Sequence, residues 1–135
     1  MRYLGLDLGS RTLGVAISTS GILASLYTVI RHNEEYNRLV NEVKDIVEKE
    51  KIDIIVLGLP KNMNNSLGEK ANLSLDFKKK LEKATGKEVI LEDERLTTKV
   101  ATNALLEKDV SRKKRKERVD SVAATIILQS YLDKK

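Results

Sequence analysis

The run Ile52-Asp53-Ile54-Ile55-Val56-Leu57-Gly58-Leu59, closed by Pro60, constrains this chain more than any other segment. Aliphatic and β-branched residues in near-unbroken succession mark a strand buried on both faces, as at the centre of a parallel sheet. Such a strand needs helices above and below it. The chain supplies candidates. Asn33 offers a cap ahead of Leu39, Val43, Ile46 and Val47, which recur at helical spacing. Residues 67–84 read as a second helix, with Ala71, Leu75 and Leu81 toward the core and Gly86 as its stop. Thr97 or Thr98 caps a shorter helix running to about Leu106, and residues 119–132 form a last one.

The remaining strands lie on either side of that run. Tyr3-Leu4-Gly5-Leu6-Asp7-Leu8 reads as a buried strand ending at the turn Gly9-Ser10-Arg11-Thr12. Residues 13–18 form a second strand at hairpin spacing, and residues 22–30 a third that partly alternates. Glu88-Val89-Ile90-Leu91-Glu92 is a short fifth. The order predicts an α/β fold: a five-stranded mixed sheet, three antiparallel strands plus two parallel ones, with helices on both faces. At 135 residues the chain is expected to form a single domain, residues 1–135.

Composition narrows the chemistry. Cysteine is absent, which excludes disulfides, thiolate zinc sites and cysteine nucleophiles. His32 is the one histidine, so a multi-histidine metal site is excluded as well. Beside Asn33 at a helix start, it reads as a surface residue. No stretch approaches the ~20 apolar residues of a membrane span. A carboxylate at position 7 breaks the apolar core that a signal peptide needs, so the expected location is the cytoplasm, with no membrane partner.

The net charge of +5 is concentrated in one place. Residues 1–110 hold 17 bases and 17 acids, and residues 119–135 hold two of each. Between them, Ser111-Arg112-Lys113-Lys114-Arg115-Lys116-Glu117-Arg118 holds six bases and one acid. A patch this dense attracts polyanions, although a lone basic run also reads as a solvated loop.

Three acidic positions sit where packing alone rarely puts them. Asp7 interrupts an apolar strand, where a carboxylate is costly unless it is paired, metal-bound or capping the following turn. Asp120 shares a helical stripe with Ala123, Ala124, Ile127 and Tyr131, although an acid in a first helical turn also has a dipole rationale. Glu92-Asp93-Glu94 ends the fifth strand. Alternation sets Glu92 and Glu94 on one side and Asp93 on the other, without saying which faces a site; Arg95 can equally neutralise a solvated end. Functional groups of parallel sheets gather at the carboxyl ends of strands. Oxygen ligands without histidine or cysteine suit Mg²⁺ or Mn²⁺, and about three carboxylates can hold two such ions for attack on a phosphodiester.

Four blocks then resemble the YqgF/RuvX family. They are Leu4-Gly5-Leu6-Asp7-Leu8-Gly9-Ser10-Arg11-Thr12-Leu13-Gly14-Val15-Ala16, Val56-Leu57-Gly58-Leu59-Pro60-Lys61-Asn62-Met63, Glu92-Asp93-Glu94-Arg95-Leu96-Thr97-Thr98 and Val119-Asp120-Ser121-Val122-Ala123-Ala124. They occur in family order across nearly the whole chain. The second and third are specific. The first is similar to the phosphate loop of actin-like kinases and chaperone ATPases, which need two such domains where this chain supplies one. The resemblance implies an RNase H-like fold related to Holliday junction resolvases. It implies an endonuclease that matures the 5′ end of pre-16S rRNA, with Asp7, Glu94 and Asp120 as the catalytic, metal-holding triad for two Mg²⁺ or Mn²⁺ ions. It favours Glu94 over Glu92, and sets Arg11, Thr12, Asn62 and Arg95 along the site or the substrate groove. The chain departs from the family at Ser18-Thr19-Ser20, where an Asp is frequent, and at Asn64-Asn65, where Asp-Gly is frequent.

The leading expectation is therefore a metal-dependent endonuclease acting on structured RNA, with Arg112, Lys113, Lys114, Arg115 and Lys116 gripping the strand. A resolvase of branched DNA is the alternative within the same chemistry; it would need a homodimer with paired sites. A non-catalytic RNA-binding factor in ribosome assembly or transcription is the alternative from another class. The sequence leaves monomer and homodimer equally open.

Overall fold

The computed structural model describes residues 1–9, 11–59, 69–93 and 112–134, with side chains described within 1–9, 11–59, 71–92 and 122–134. Eight elements follow one another: β1 (Tyr3–Leu8), β2 (Thr12–Ser18), β3 (Ser25–Arg31), α1 (Tyr36–Glu50), β4 (Ile54–Leu59), α2 (Glu69–Thr85), β5 (Glu88–Asp93) and α3 (Arg112–Lys134). The strands form one sheet in the order β3-β2-β1-β4-β5. β1, β2 and β3 pair antiparallel, while β1, β4 and β5 pair parallel, as the alternation of hydrophobic runs predicts.

Each face of the sheet has its own core. On one, Leu4, Leu6, Leu13, Val15, Ile55 and Leu57 pack against Leu39, Val43 and Val47 of α1 and against Phe77 and Leu81 of α2. On the other, Tyr3, Ala16 and Val56 pack against Ala124, Ile127, Leu128 and Leu132 of α3. The β4 run is thus buried on both sides, which is why it carries no alternation. α3 lies close because Gly5 is beneath it: a Cβ there would stand 2.7 Å from Leu128 Cβ and 3.1 Å from the Ala124 carbonyl. Gly86 stops α2 with φ +69° and donates its N–H to Glu82 O, the left-handed ending that glycine allows.

Several boundaries differ from expectation, each for a local reason. β3 begins at Ser25, not Ile22, because side chains capture the backbone before it. Ser20 Oγ accepts from the N–H of Ile22 and Leu23, and Gln129 binds both Ile22 O and the Ala24 N–H. β4 begins at Ile54, since the Ile52 N–H returns to Val47 O and the Asp53 N–H goes to Arg2 O. Asn33 does not cap α1: Glu35 holds the N-cap position, and Asn33 Oδ1 receives the Arg11 guanidinium instead. In α2 the most buried positions are Ala71, Ser74, Phe77 and Leu81, with Leu75 only half-buried. The helix expected over 97–106 lies outside the described residues.

The largest correction concerns α3. It starts at Arg112, not at Val119, so the basic run is helical and not a loop. Arg and Lys are good helix formers, and neither Pro nor Gly occurs between positions 112 and 134 to stop the turn propagating backwards. Asp120 becomes the ninth residue of the helix, and the first turn contains no acid.

Candidate active site

Asp7 is buried, 7% exposed, one residue before the end of β1. In β2 its partner is Gly14. On the other flank the parallel register pairs Leu6 with Leu57, so one step further Gly58 comes level with Asp7. The Asp7 position therefore has a glycine level with it on each neighbouring strand.

Alternation along β1 fixes which face Asp7 occupies. Tyr3 packs on Tyr131 with ring centroids 6.0 Å apart, and Gly5 meets Leu128 and Ala124. Both contacts are with α3, so Asp7, two residues on, shares that face. The same contacts show that α3 runs antiparallel to β1. From Gly5 to Asp7 the strand advances about 6.6 Å; from Ala124 back to Asp120 the helix rises about 6 Å. The helix therefore runs back toward Asp120 in the direction in which the strand runs on to Asp7. A mid-helix position also removes the dipole rationale for Asp120, because that stabilisation is confined to the first turn.

The third expected carboxylate, Glu94, lies outside the described residues, one position beyond the end of β5. Its neighbour Glu92 is engaged elsewhere. Glu92 is 6% exposed, ion-paired with Lys134 and 3.4 Å from Ser130 Oγ. Those partners lie ten and fourteen residues beyond Asp120, roughly 15 and 21 Å along the helix. Glu92 thus faces α3, as its alternation with Val89 and Leu91 requires, but is held by the end of that helix remote from Asp120.

The turn after Asp7 is closed by the Gly9 N–H on Thr12 O, 2.8 Å. Thr12 is buried and Arg11 exposed, with its guanidinium on Asn33 Oδ1. Asn62 and Arg95 lie outside the described residues. Arg112, Lys113, Lys114, Arg115 and Lys116 form the first turns of α3, their side chains outside the described set. Among the described residues no three His, Cys, Asp or Glu side chains come together as a metal site. The structure sets Asp7 on the sheet face that α3 covers, and the side chains of Asp120 and Glu94 lie outside the described residues.

His32 is the residue that sequence reasoning misread. It is 7% exposed rather than on the surface, and its ring binds the backbone of the turn after Asp7. No sequence signal marks it; the contact appears only once β3 is in register beside β2.

The RuvX family profile, described as Holliday junction resolvase, matches residues 1–134. The chain belongs to the RuvX family. Two Staphylococcus aureus proteins, from strains RF122 and JH9 and each named "Putative pre-16S rRNA nuclease", are 49% identical over 135 residues, covering 98% of this chain and 95% of theirs. Among solved structures, Thermus thermophilus RuvC bound to a Holliday junction superposes with a TM-score of 0.63 at 15% identity, covering 99% of this chain and 94% of that one. Fowlpox virus resolvase with Holliday junction DNA gives 0.58 at 16%, covering 99% and 98%. These structural likenesses establish the resolvase-type, RNase H-like fold of this RuvX chain. No helix among the described residues is long and apolar enough to cross a membrane.

Proposed function

We propose that this RuvX protein is a cytoplasmic, metal-dependent endonuclease that trims structured RNA, with the 5′ end of pre-16S rRNA as its substrate. The observation that carries the reading is the buried carboxyl of Asp7, set between two glycines on the sheet face covered by the helix of Asp120. Asp7, Asp120 and Glu94 would hold two Mg²⁺ or Mn²⁺ ions, and an all-carboxylate donor set fits such hard cations. When bound, the ions supply activation of a water and neutralisation of charge at the leaving oxygen. Glycines at positions 14 and 58 leave room for a phosphate to approach Asp7. By the family resemblance Arg11, Thr12, Asn62 and Arg95 would orient the phosphodiester, and Arg112, Lys113, Lys114, Arg115 and Lys116 would hold the strand by its backbone charge.

The 49% identity to proteins carrying the pre-16S rRNA name favours RNA. The family's description favours the second reading, cleavage of a four-way DNA junction. That reaction needs two symmetric cuts and hence a homodimer, whereas end trimming needs one site and a monomer suffices.

Both are tested in one experiment. Purified protein is given precursor 16S fragments or four-way DNA junctions, with Mn²⁺, Mg²⁺ or chelator, beside Asp7→Asn. The expected result is cut precursor RNA in wild type only, and RNA bound by both proteins. Junction cleavage alone would replace the RNA reading by the resolvase. Cleavage surviving in Asp7→Asn would remove the catalytic assignment, and metal-independent binding without cleavage would leave an assembly factor. Mn²⁺ should also raise the Tm of wild type and not of Asp7→Asn.

A further inference from the structure

We infer that His32 is a positioning residue, which holds the Gly9–Thr12 turn in the geometry that Asp7 chemistry requires; this rests on the reading of Asp7 as an active-site carboxylate. His32 follows β3 directly, and its N–H donates to Arg11 O at 2.9 Å. The ring then makes two backbone contacts at once. Nδ1 lies 3.0 Å from the Glu34 nitrogen, and Nε2 lies 3.0 Å from Gly9 O. An amide N–H can only donate, so Nδ1 is the acceptor and carries no proton. A carbonyl can only accept, so Nε2 bears the hydrogen and donates it to Gly9. One neutral tautomer satisfies both partners.

The surroundings lock the ring in that role. It is 7% exposed and packs against Tyr36, centroids 6.0 Å apart. Glu34, whose N–H it receives, is left-handed at φ 67°, a conformation that non-glycine residues keep only where their surroundings hold it. Asn33 holds the Arg11 guanidinium from the same segment. Residues 32–34 thus grip the turn at the Gly9 carbonyl, the Arg11 carbonyl and the Arg11 side chain. Gly9 is two residues from Asp7, and Arg11 is the nearest described cation downstream of it in the chain. A carbonyl that loses its donor lets the turn shift, and displacements near 1 Å in a positioned site cost about a hundredfold in rate.

The test compares His32→Gln, His32→Asn and His32→Ala with wild type. Glutamine keeps a donor at the reach of Nε2; asparagine keeps only the shorter reach of Nδ1. Val47→Ala, in the remote half of α1, serves as a control of lowered stability with an intact turn. The expected result is a fall in kcat of about tenfold or more for His32→Ala and His32→Asn, with RNA Kd within about threefold, and recovery in His32→Gln. Val47→Ala should retain kcat at equal or lower Tm. Equal losses in His32→Ala and Val47→Ala, or no difference between glutamine and asparagine, would overturn the assignment. Absence of cleavage in wild type would sink the nuclease reading and with it the catalytic purpose of the contact, whereas ¹⁵N spectra read separately whether His32 holds the turn. The wild-type ring should show a single Nε2–H tautomer, and the Gly9, Arg11 and Thr12 amides should move in His32→Asn and return in His32→Gln. A mixed tautomer, or amides that do not respond, would overturn it.

Discussion

Gly5 lies beneath α3 where a single methyl group would have to displace the helix. In Gly5→Ala the new carbon would stand 2.7 Å from Leu128 Cβ and 3.1 Å from the Ala124 carbonyl oxygen. Carbon atoms at rest sit about 3.5–4.0 Å apart, so relief needs about 1 Å of movement. No rotamer change provides it, because a Cβ and a carbonyl are fixed by the helix backbone. The helix must lift, which for an overpacked core costs about 1–3 kcal/mol. At roughly 4 °C per kcal/mol for a chain of this length, Tm should fall by about 4–12 °C. The same lift displaces the turn carrying Asp120, one helical turn from Ala124, so activity should fall by about a hundredfold under conditions where the variant is fully folded. Urea unfolding followed by circular dichroism gives the stability, and single-turnover cleavage gives the rate. Leu128→Gly removes one of the two clashing atoms, so in the Gly5→Ala background it should cost less than it does alone. A Gly5→Ala protein within 0.5 kcal/mol of wild type, or one destabilised as expected yet fully active, would refute the claim that α3 seats on Gly5 and delivers Asp120.

Three further outcomes follow from other contacts. Lys134→Ala leaves Glu92, 6% exposed, with Ser130 as its remaining polar partner among the described residues; the Lys134 side chain is itself 63% exposed, so urea unfolding should show a loss of only about 1–2 kcal/mol, smaller in the Glu92→Gln background. Replacing Lys113, Lys114 and Lys116 together by Gln should weaken RNA binding and reduce the slope of log K against log salt by up to about 0.7–0.9 per lost phosphate contact, and an unchanged slope would separate the basic turns from the substrate. The hydrogen bond from Arg38 Nε, 2.7 Å, holds the Glu35 carboxyl below its ordinary value, so its contribution is present above about pH 4 and lost as pH falls through the lowered folded value; wild type and Glu35→Gln should differ in Tm at pH 6 and converge in acid.

How much of this was legible beforehand depends on whether the cause was local. Leu4, Leu6, Ile55 and Leu57 declare their burial by type and spacing, so the sheet, its mixed pairing and its two helical faces can be read directly. Asp7 stands out because a charge inside such a run has no packing reason to be there. The boundaries failed where distant groups intervened. Gln129 lies more than a hundred residues from the Ile22 and Ala24 backbone it captures, and Arg11 draws Asn33 from its expected capping duty across the β2–β3 ladder. His32 was misread for the same reason, since its partners Gly9 and Arg11 reach it only through strand register. Glu94, Asn62 and Arg95 rest on the family resemblance, because the described geometry ends at β4 and β5 just before them.

The start of α3 alters the meaning of two features together. Six bases within the first seven residues of a helix are poorly placed for its own stability. The amino end carries a partial positive charge, and Arg112 with Lys116, like Lys114 with Arg118, repel at i,i+4. Glu117, four residues from Lys113, and Asp120, four from Lys116, are the acids at i,i+4 spacing, each on the carboxyl side of its base, the weaker orientation for a helix. A segment so arranged is better explained by a polyanion that it meets than by the helix it begins. Asp120 is two residues beyond that run on the same continuous helix, and Gly5 fixes the helix against β1, where Asp7 lies one residue before the strand's end. Under the proposed function, one rod thus joins the grip on the phosphate backbone to the carboxylate pair that cuts it. Shifting the register of the basic turns against Asp120, by inserting one alanine after Arg118, would rotate the grip by about 100° relative to the acid. Binding should survive that insertion while cleavage is lost. An insertion variant that still cuts at the same position would show that grip and cut are independent.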